Sequence, residues 1–158
     1  MLSNLRVYLA IAEDALAESK RLTEEYRRPK QDGTEGFVVT YDPNQKSFQH
    51  SLIAIVFAGI YLDALLYIEG VKHLGKDEYD RIGRKHYEEK LTRLGVTDSI
   101  ALTQCKAFRE ARNHLVHEKA TELLDVTVFH KGQDEAVTAL SFVRSVPNLL
   151  AASSCRLG

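Results

Sequence analysis

Residues 51–70, SLIAIVFAGIYLDALLYIEG, are the most apolar segment of the chain and restrict its fold more than any other feature. Their length is close to what a bilayer-spanning helix needs. Against a span, Asp63 lies inside the run, Glu69 closes it, and neither flank carries a strong excess of Lys or Arg. A helix that is apolar nearly all round and is not in a membrane belongs at the centre of a helical domain. The expected architecture is therefore all-α, an up-and-down bundle of four to five helices packed around this segment, with no membrane contact.

The rest of the chain fits that frame. At 158 residues, 44% hydrophobic and 27% charged, it has the length for one core, and a single domain over 1–158 is expected. Cys105 and Cys155 show neither CxxC nor Cys/His spacing, so free thiols in a reducing cytoplasm are expected, with no metal and no cofactor. The N-terminal MLSNLRVYLAIAEDALAESKR lacks the continuous apolar core of a signal peptide, which also points to a cytoplasmic protein.

Periodicity places the remaining helices. Ser3 can cap a first helix to about Arg28, with Leu5, Leu9, Ala12, Leu16 and Leu22 at helical spacing before Pro29. Residues 29–46, with two prolines and two glycines, read as a long connection with one extended piece at FVVTY. Ser47 opens the apolar helix, and Gly70 to Gly75 ends it. A third, amphipathic helix follows in DEYDRIGRKHYEEKLTRLG, with Tyr79, Ile82, Tyr87, Leu91 and Leu94 facing inward and Gly95 as its stop. Asp98 caps a fourth helix to about Lys119. The β-branched residues 126–128 before Lys131-Gly132 suit a short β segment or a frayed helix end, and the last helix should break or kink near Pro147.

The fourth helix ends in FREARNHLVHEK, where two arginines, an asparagine and two histidines crowd together. At roughly 100° per residue, Ile100, Ala107, Phe108, Ala111 and Leu115 fall on one side as an expected core stripe. Leu102, Cys105, Arg109, Arg112 and Val116 gather on another. Arg112 and His117 are roughly 140° apart, near enough for two long side chains to reach one small anion. Packing two copies through Leu102, Cys105 and Val116 would bring both Arg112 and both His117 residues to a shared cleft. The plain alternative is that these cations only complement the negative end of a helix dipole.

Arg112 through His117, RNHLVH, resembles the R-x4-6-H signature of the HEPN superfamily, in the form where Asn follows the arginine. Chain length, the motif's place in a late helix and the acid within YLDALLY are similar as well. The resemblance covers a core of residues 3–119 and leaves 120–158 as a C-terminal extension. It implies a metal-independent endoribonuclease acting as a homodimer, a toxin or defence effector in a toxin-antitoxin setting, with RNA as substrate and an antitoxin or other regulatory protein as a further partner.

The chemistry is consistent with those residues. Metal-free RNA cleavage needs a proton acceptor for a 2′-hydroxyl, a proton donor for the leaving oxygen, and positive charge at the transition state. His117 suits proton transfer and Arg112 the phosphate clamp. Asn113 would orient either one, bond a phosphate oxygen, or simply bond a neighbouring helix. Three residues are candidates for support. Asp63 could pair with Arg112 or meet solvent at a helix edge, Arg109 adds a cation beside Arg112, and His114 falls toward the core side. His50, His73, His86 and His130 are expected on the surface. In the toxin branch of the family a tyrosine follows the histidine by two residues and is modified by adenylylation; Lys119 stands there in this chain.

Charge is distributed unevenly behind a net value of −1. Residues 81–119 hold nine Lys or Arg against five Asp or Glu, a balance of +4, which leaves −5 for the rest. Such a face attracts phosphate backbones, although solvated helix surfaces are built the same way. The competing function is a noncatalytic HEPN-like helical module that binds a nucleotide, RNA or a partner protein through the same cleft. A helical adaptor with a chance motif is the third.

Overall fold

The computed structural model describes residues 4–40, 43–117 and 126–154, with side chains for all of these except 39, 43, 116–117, 126–131 and 154. Six helices and one short hairpin make up this part: α1 (Leu5–Glu25), β1 (Arg27–Pro29), β2 (Phe37–Val39), α2 (Lys46–Leu74), α3 (Lys76–Ile82), α4 (Tyr87–Arg93), α5 (Ser99–His117) and α6 (Val126–Ser154). The protein is all-α, with a two-stranded antiparallel sheet as its one β feature among the described residues.

The apolar run does form the central helix. α2 packs against α1, α3, α4, α5 and α6, and Ala54, Ile55, Ala58, Leu62 and Leu66 have 1% exposure or less. By length and composition α2 could cross a bilayer, and half of its most apolar window is buried inside the protein. Small side chains, Ala12 and Ala15 on α1 and Ala54 and Ala58 on α2, occupy the core between them. Ser19 and Ser51 share a buried 2.8 Å hydrogen bond there, so the two hydroxyls satisfy each other at a place where an unpaired one would cost about 1–3 kcal/mol. Glu13 acts electrostatically on Tyr61, and with Ser19 opposite Ser51 this makes α1 and α2 antiparallel. α6 runs parallel to α2, since Gly132 lies against Phe48 and Ser51 while Pro147 and Leu150 share a groove with Leu65 and Glu69.

Several expectations change, the number of helices first: six stand among the described residues where four to five are expected. α1 stops at Glu25, because Arg27 to Pro29 are drawn into an antiparallel pairing with Phe37 to Val39. The anticipated extended piece is thus one strand of a hairpin whose turn is set by Gly33 (φ 75°) and by Asp32 Oδ1 accepting from the Thr34 amide and hydroxyl. The single third helix is two, α3 and α4, separated at Gly83 to His86. In one continuous helix Ile82 and Tyr87 would lie about 140° apart, so the break lets Tyr79, Ile82, Tyr87, Leu91 and Leu94 all be buried.

The region 126–128 is the start of α6 and not a β segment, and α6 continues through both Gly132 and Pro147. Gly132 is not a turn residue here. A Cβ at that position would lie 2.8 Å from the Phe48 ring, so the glycine serves close packing inside the helix. Asp98 caps α5 as expected, accepting from the Ile100 amide at 2.9 Å. The proposed Ser3 cap and the segment 118–125 lie outside the described residues.

Candidate functional site

Four residues of α5 at positions 101, 105, 108 and 112 decide the site. Ala101, Cys105 and Phe108 are buried at 3% exposure or less, and their 4-3 spacing continues to Arg112 on the same stripe. The core stripe expected from Ile100 and Ala107 is therefore rotated: Ile100 is 70% exposed and Ala107 is also exposed. The core follows Cys105 because Phe108 has to reach both Tyr87 and Phe142, with ring centroids 6.0 and 5.8 Å away. One consequence is that a two-fold seam through Leu102, Cys105 and Val116 is not available. Cys105 is fully buried and Leu102 packs on the protein's own core. Burial also raises the Cys105 thiol to about 12, which keeps it protonated and unreactive.

Arg112 thus starts on the core side and passes along α2, which has no side chain at Gly59. A Cβ there would meet Arg112 Nε at 2.5 Å. The Nε is sealed and has no hydrogen-bond partner. At the far end, Arg112 Nη1 donates to Tyr87 Oη at 3.0 Å, and Tyr87 Oη donates to Asp63 Oδ2 at 3.0 Å. Of the two readings of Asp63, a direct pair with Arg112 or solvent at a helix edge, neither is the whole: Asp63 is exposed and reaches Arg112 through the phenol. Burial, and then the Asp63 carboxylate, push the Tyr87 phenol far above its ordinary value, so it remains a donor.

Arg109 forks onto Glu88 of α4 through Nε and Nη2, at 3.1 and 3.0 Å. Burial would raise the Glu88 carboxyl, but the Arg109 hydrogen bonds outweigh it and hold it below the ordinary range. The fork ties α4 to α5 next to the relay.

Asp63, Tyr87, Arg109, Arg112, Asn113, Lys85, His86 and Lys90 line one cleft of about 230 Å³. Asp63, Arg109, Arg112 and Asn113 of the expected set are brought together there. Asn113 is exposed and makes no hydrogen bond among the described residues, so it does not bind a neighbouring helix. The helical phase puts His114 toward the core as a packed or partly exposed residue; it is exposed and lies outside the cleft lining, because the buried stripe passes through Arg112 and not through position 114. His117 is the last residue of α5, and its side chain, like that of Val116, lies outside the described residues. Among the described residues no group of three His, Cys, Asp or Glu could hold a metal.

Lys85, His86, Tyr87, Lys90 and Gly59 were not assigned to the site from sequence. Lys90 had a signal, since it falls among the inward positions of its helix as the sole cation. Gly59 had one too, because a lone glycine inside an apolar helix costs about 1 kcal/mol relative to alanine and marks a close approach. His86, expected on the surface, is exposed but opens onto the cleft from the N-cap position of α4. No family model matches the chain, and no curated protein or solved structure matches it.

Proposed function

We propose that the chain is a metal-independent endoribonuclease of the HEPN type, cytoplasmic and active as a homodimer, serving as a toxin or defence effector. The reading takes α1, α2, α5 and α6 as the up-and-down bundle of that family. The observation that supports it best is the convergence of Arg112, Asn113 and Asp63 with Lys85, His86 and Lys90 on one open cleft, a cation-rich wall for a phosphate group. In this reading Arg112 stabilises the charge of the phosphorane-like transition state, held in place by Tyr87 and Asp63. His117 moves the proton, and Asn113 bonds a phosphate oxygen.

The test is incubation of purified protein with RNA in the presence of a chelator. Cleavage is expected from the wild type and is expected to vanish in Arg112→Ala and in His117→Ala while both keep wild-type circular dichroism. RNA left intact by the wild type ends the proposal.

A second reading is a noncatalytic module using the cleft as an anion site. It is favoured by one detail: Arg112 already donates to Tyr87 and its Nε is sealed against Gly59, so the guanidinium is fixed in place. RNA binding without strand scission selects this reading.

A further inference from the structure

The charges around the cleft are almost all answered from within the protein. Arg109 has Glu88 at 3.0 Å, Lys85 has Glu89 at 3.4 Å, and Arg112 is linked through Tyr87 to Asp63. Lys90 is different. It is 6% exposed, yet its ammonium makes no hydrogen bond and no ion pair among the described residues, the residue's hydrogen bonds being those of its backbone. Its ammonium lies 6.0 and 5.8 Å from the Tyr79 and Tyr87 ring centroids, a cation-π contact that offsets only part of the loss of water.

The Nζ is not among the sealed atoms, so the tip of this buried side chain reaches solvent, and the cleft it lines is the opening. His86 is one helical turn away on the same face of α4, at i, i+4 spacing, and lines the same cleft. The Asp63 carboxylate lines the same cleft but is hydrogen-bonded to Tyr87 and does not ion-pair with Lys90; a buried ammonium without a paired counter-charge is costly and is ordinarily answered by an anion.

We propose that Lys90 is the phosphate ligand of this cleft, and that the cleft takes one phosphate group within a single protomer. Lys90 provides the unpaired positive charge, His86 and Asn113 contribute hydrogen-bond partners, and Arg112 with its relay lines the same cleft. The assignment rests on reading the cleft as a phosphate site and does not require cleavage. The shared chemistry is the tetrahedral oxyanion, whether free phosphate or the phosphodiester of a nucleic acid. A cleft of about 230 Å³ has room for that group.

The experiment titrates the full chain with inorganic phosphate and, separately, with a deoxydinucleotide, which has one phosphodiester and no 2′-hydroxyl to attack. Calorimetry is run at constant ionic strength with chloride as the control. Binding is expected in the wild type, to weaken by about tenfold or more in Lys90→Met and Lys90→Gln, and to be largely kept in Lys90→Arg. The Lys90 ammonium resonance of the wild-type chain is also expected to shift on titration, a readout that needs no variant to fold. Saturation by phosphate alone assigns a free-phosphate source, and saturation by both assigns a nucleic-acid backbone; either supports the site. Wild-type chain that binds neither anion, or an unmoved Lys90 resonance under saturating phosphate, overturns it. RNA left uncut by protein whose phosphate binding depends on Lys90 removes the ribonuclease reading and leaves this site standing.

Discussion

At the residue scale the site depends on three contacts that no motif describes. Tyr87→Phe removes the acceptor of Arg112 Nη1 and the donor to Asp63 in one step. A buried donor left without a partner costs about 1–3 kcal/mol, and that loss is expected in urea denaturation. Gly59→Ala improves helix propensity but sets a methyl 2.5 Å from Arg112 Nε, so it is expected to destabilise the wild type by about 1–3 kcal/mol. In the Arg112→Ala background the same change should become neutral or stabilising, since the collision is gone. A double-mutant cycle with no coupling between positions 59 and 112 would contradict the seat described for the guanidinium. Arg112, Asn113 and Asp63 are legible because their residue types carry chemistry; Gly59 shows only as a lone glycine in an apolar helix, with nothing to say what approaches it, and Tyr87 is a phenol that reads as core.

At the element scale, sequence periodicity located the long helices but not the phase of α5 or the break between α3 and α4. The phase was misread because Cys105 and Phe108 are both apolar and the pattern admits stripes through Ile100 or through Ala101. Tertiary packing chose the second by joining Phe108 to Tyr87 and Phe142. α4 has only seven residues, too few for a stable isolated helix, so its place beside the cleft depends on burial of Tyr87 and Leu91 and on the Glu88–Arg109 fork. The Glu88 carboxyl is held below its ordinary value of 4.5 in the folded protein. Its contribution is therefore present above that value and disappears as pH falls through the lower folded one. Glu88→Gln is expected to lose stability at neutral pH and to flatten the decline seen on acidification below 4.5, measured as melting temperature against pH. An unchanged acid limb would show that the fork does not hold α4.

For the whole molecule, the homodimer proposed above needs a seam other than the one through Cys105, which is interior. α2 leaves Ile53, Tyr67 and Ile68 at 38%, 46% and 41% exposure. At 100° per residue these fall within one strip with the half-buried Phe57 and Ile60, and Asp63 lies at its edge. This apolar strip on an otherwise central helix is where the proposed homodimer would pack. In the proposed homodimer, a two-fold along this strip sets the two Asp63 residues, and with them the two clefts, side by side. Ile68→Glu places a charge in that strip without touching the cleft lining. It is expected to convert the dimer to a monomer in sedimentation analysis, to abolish RNA cleavage, and to leave the affinity of each protomer for inorganic phosphate unchanged. That combination would separate the two levels of the site, a phosphate cleft complete in each chain and a reaction that needs two. A monomeric Ile68→Glu protein that still cuts RNA at the wild-type rate would place the whole chemistry within one protomer.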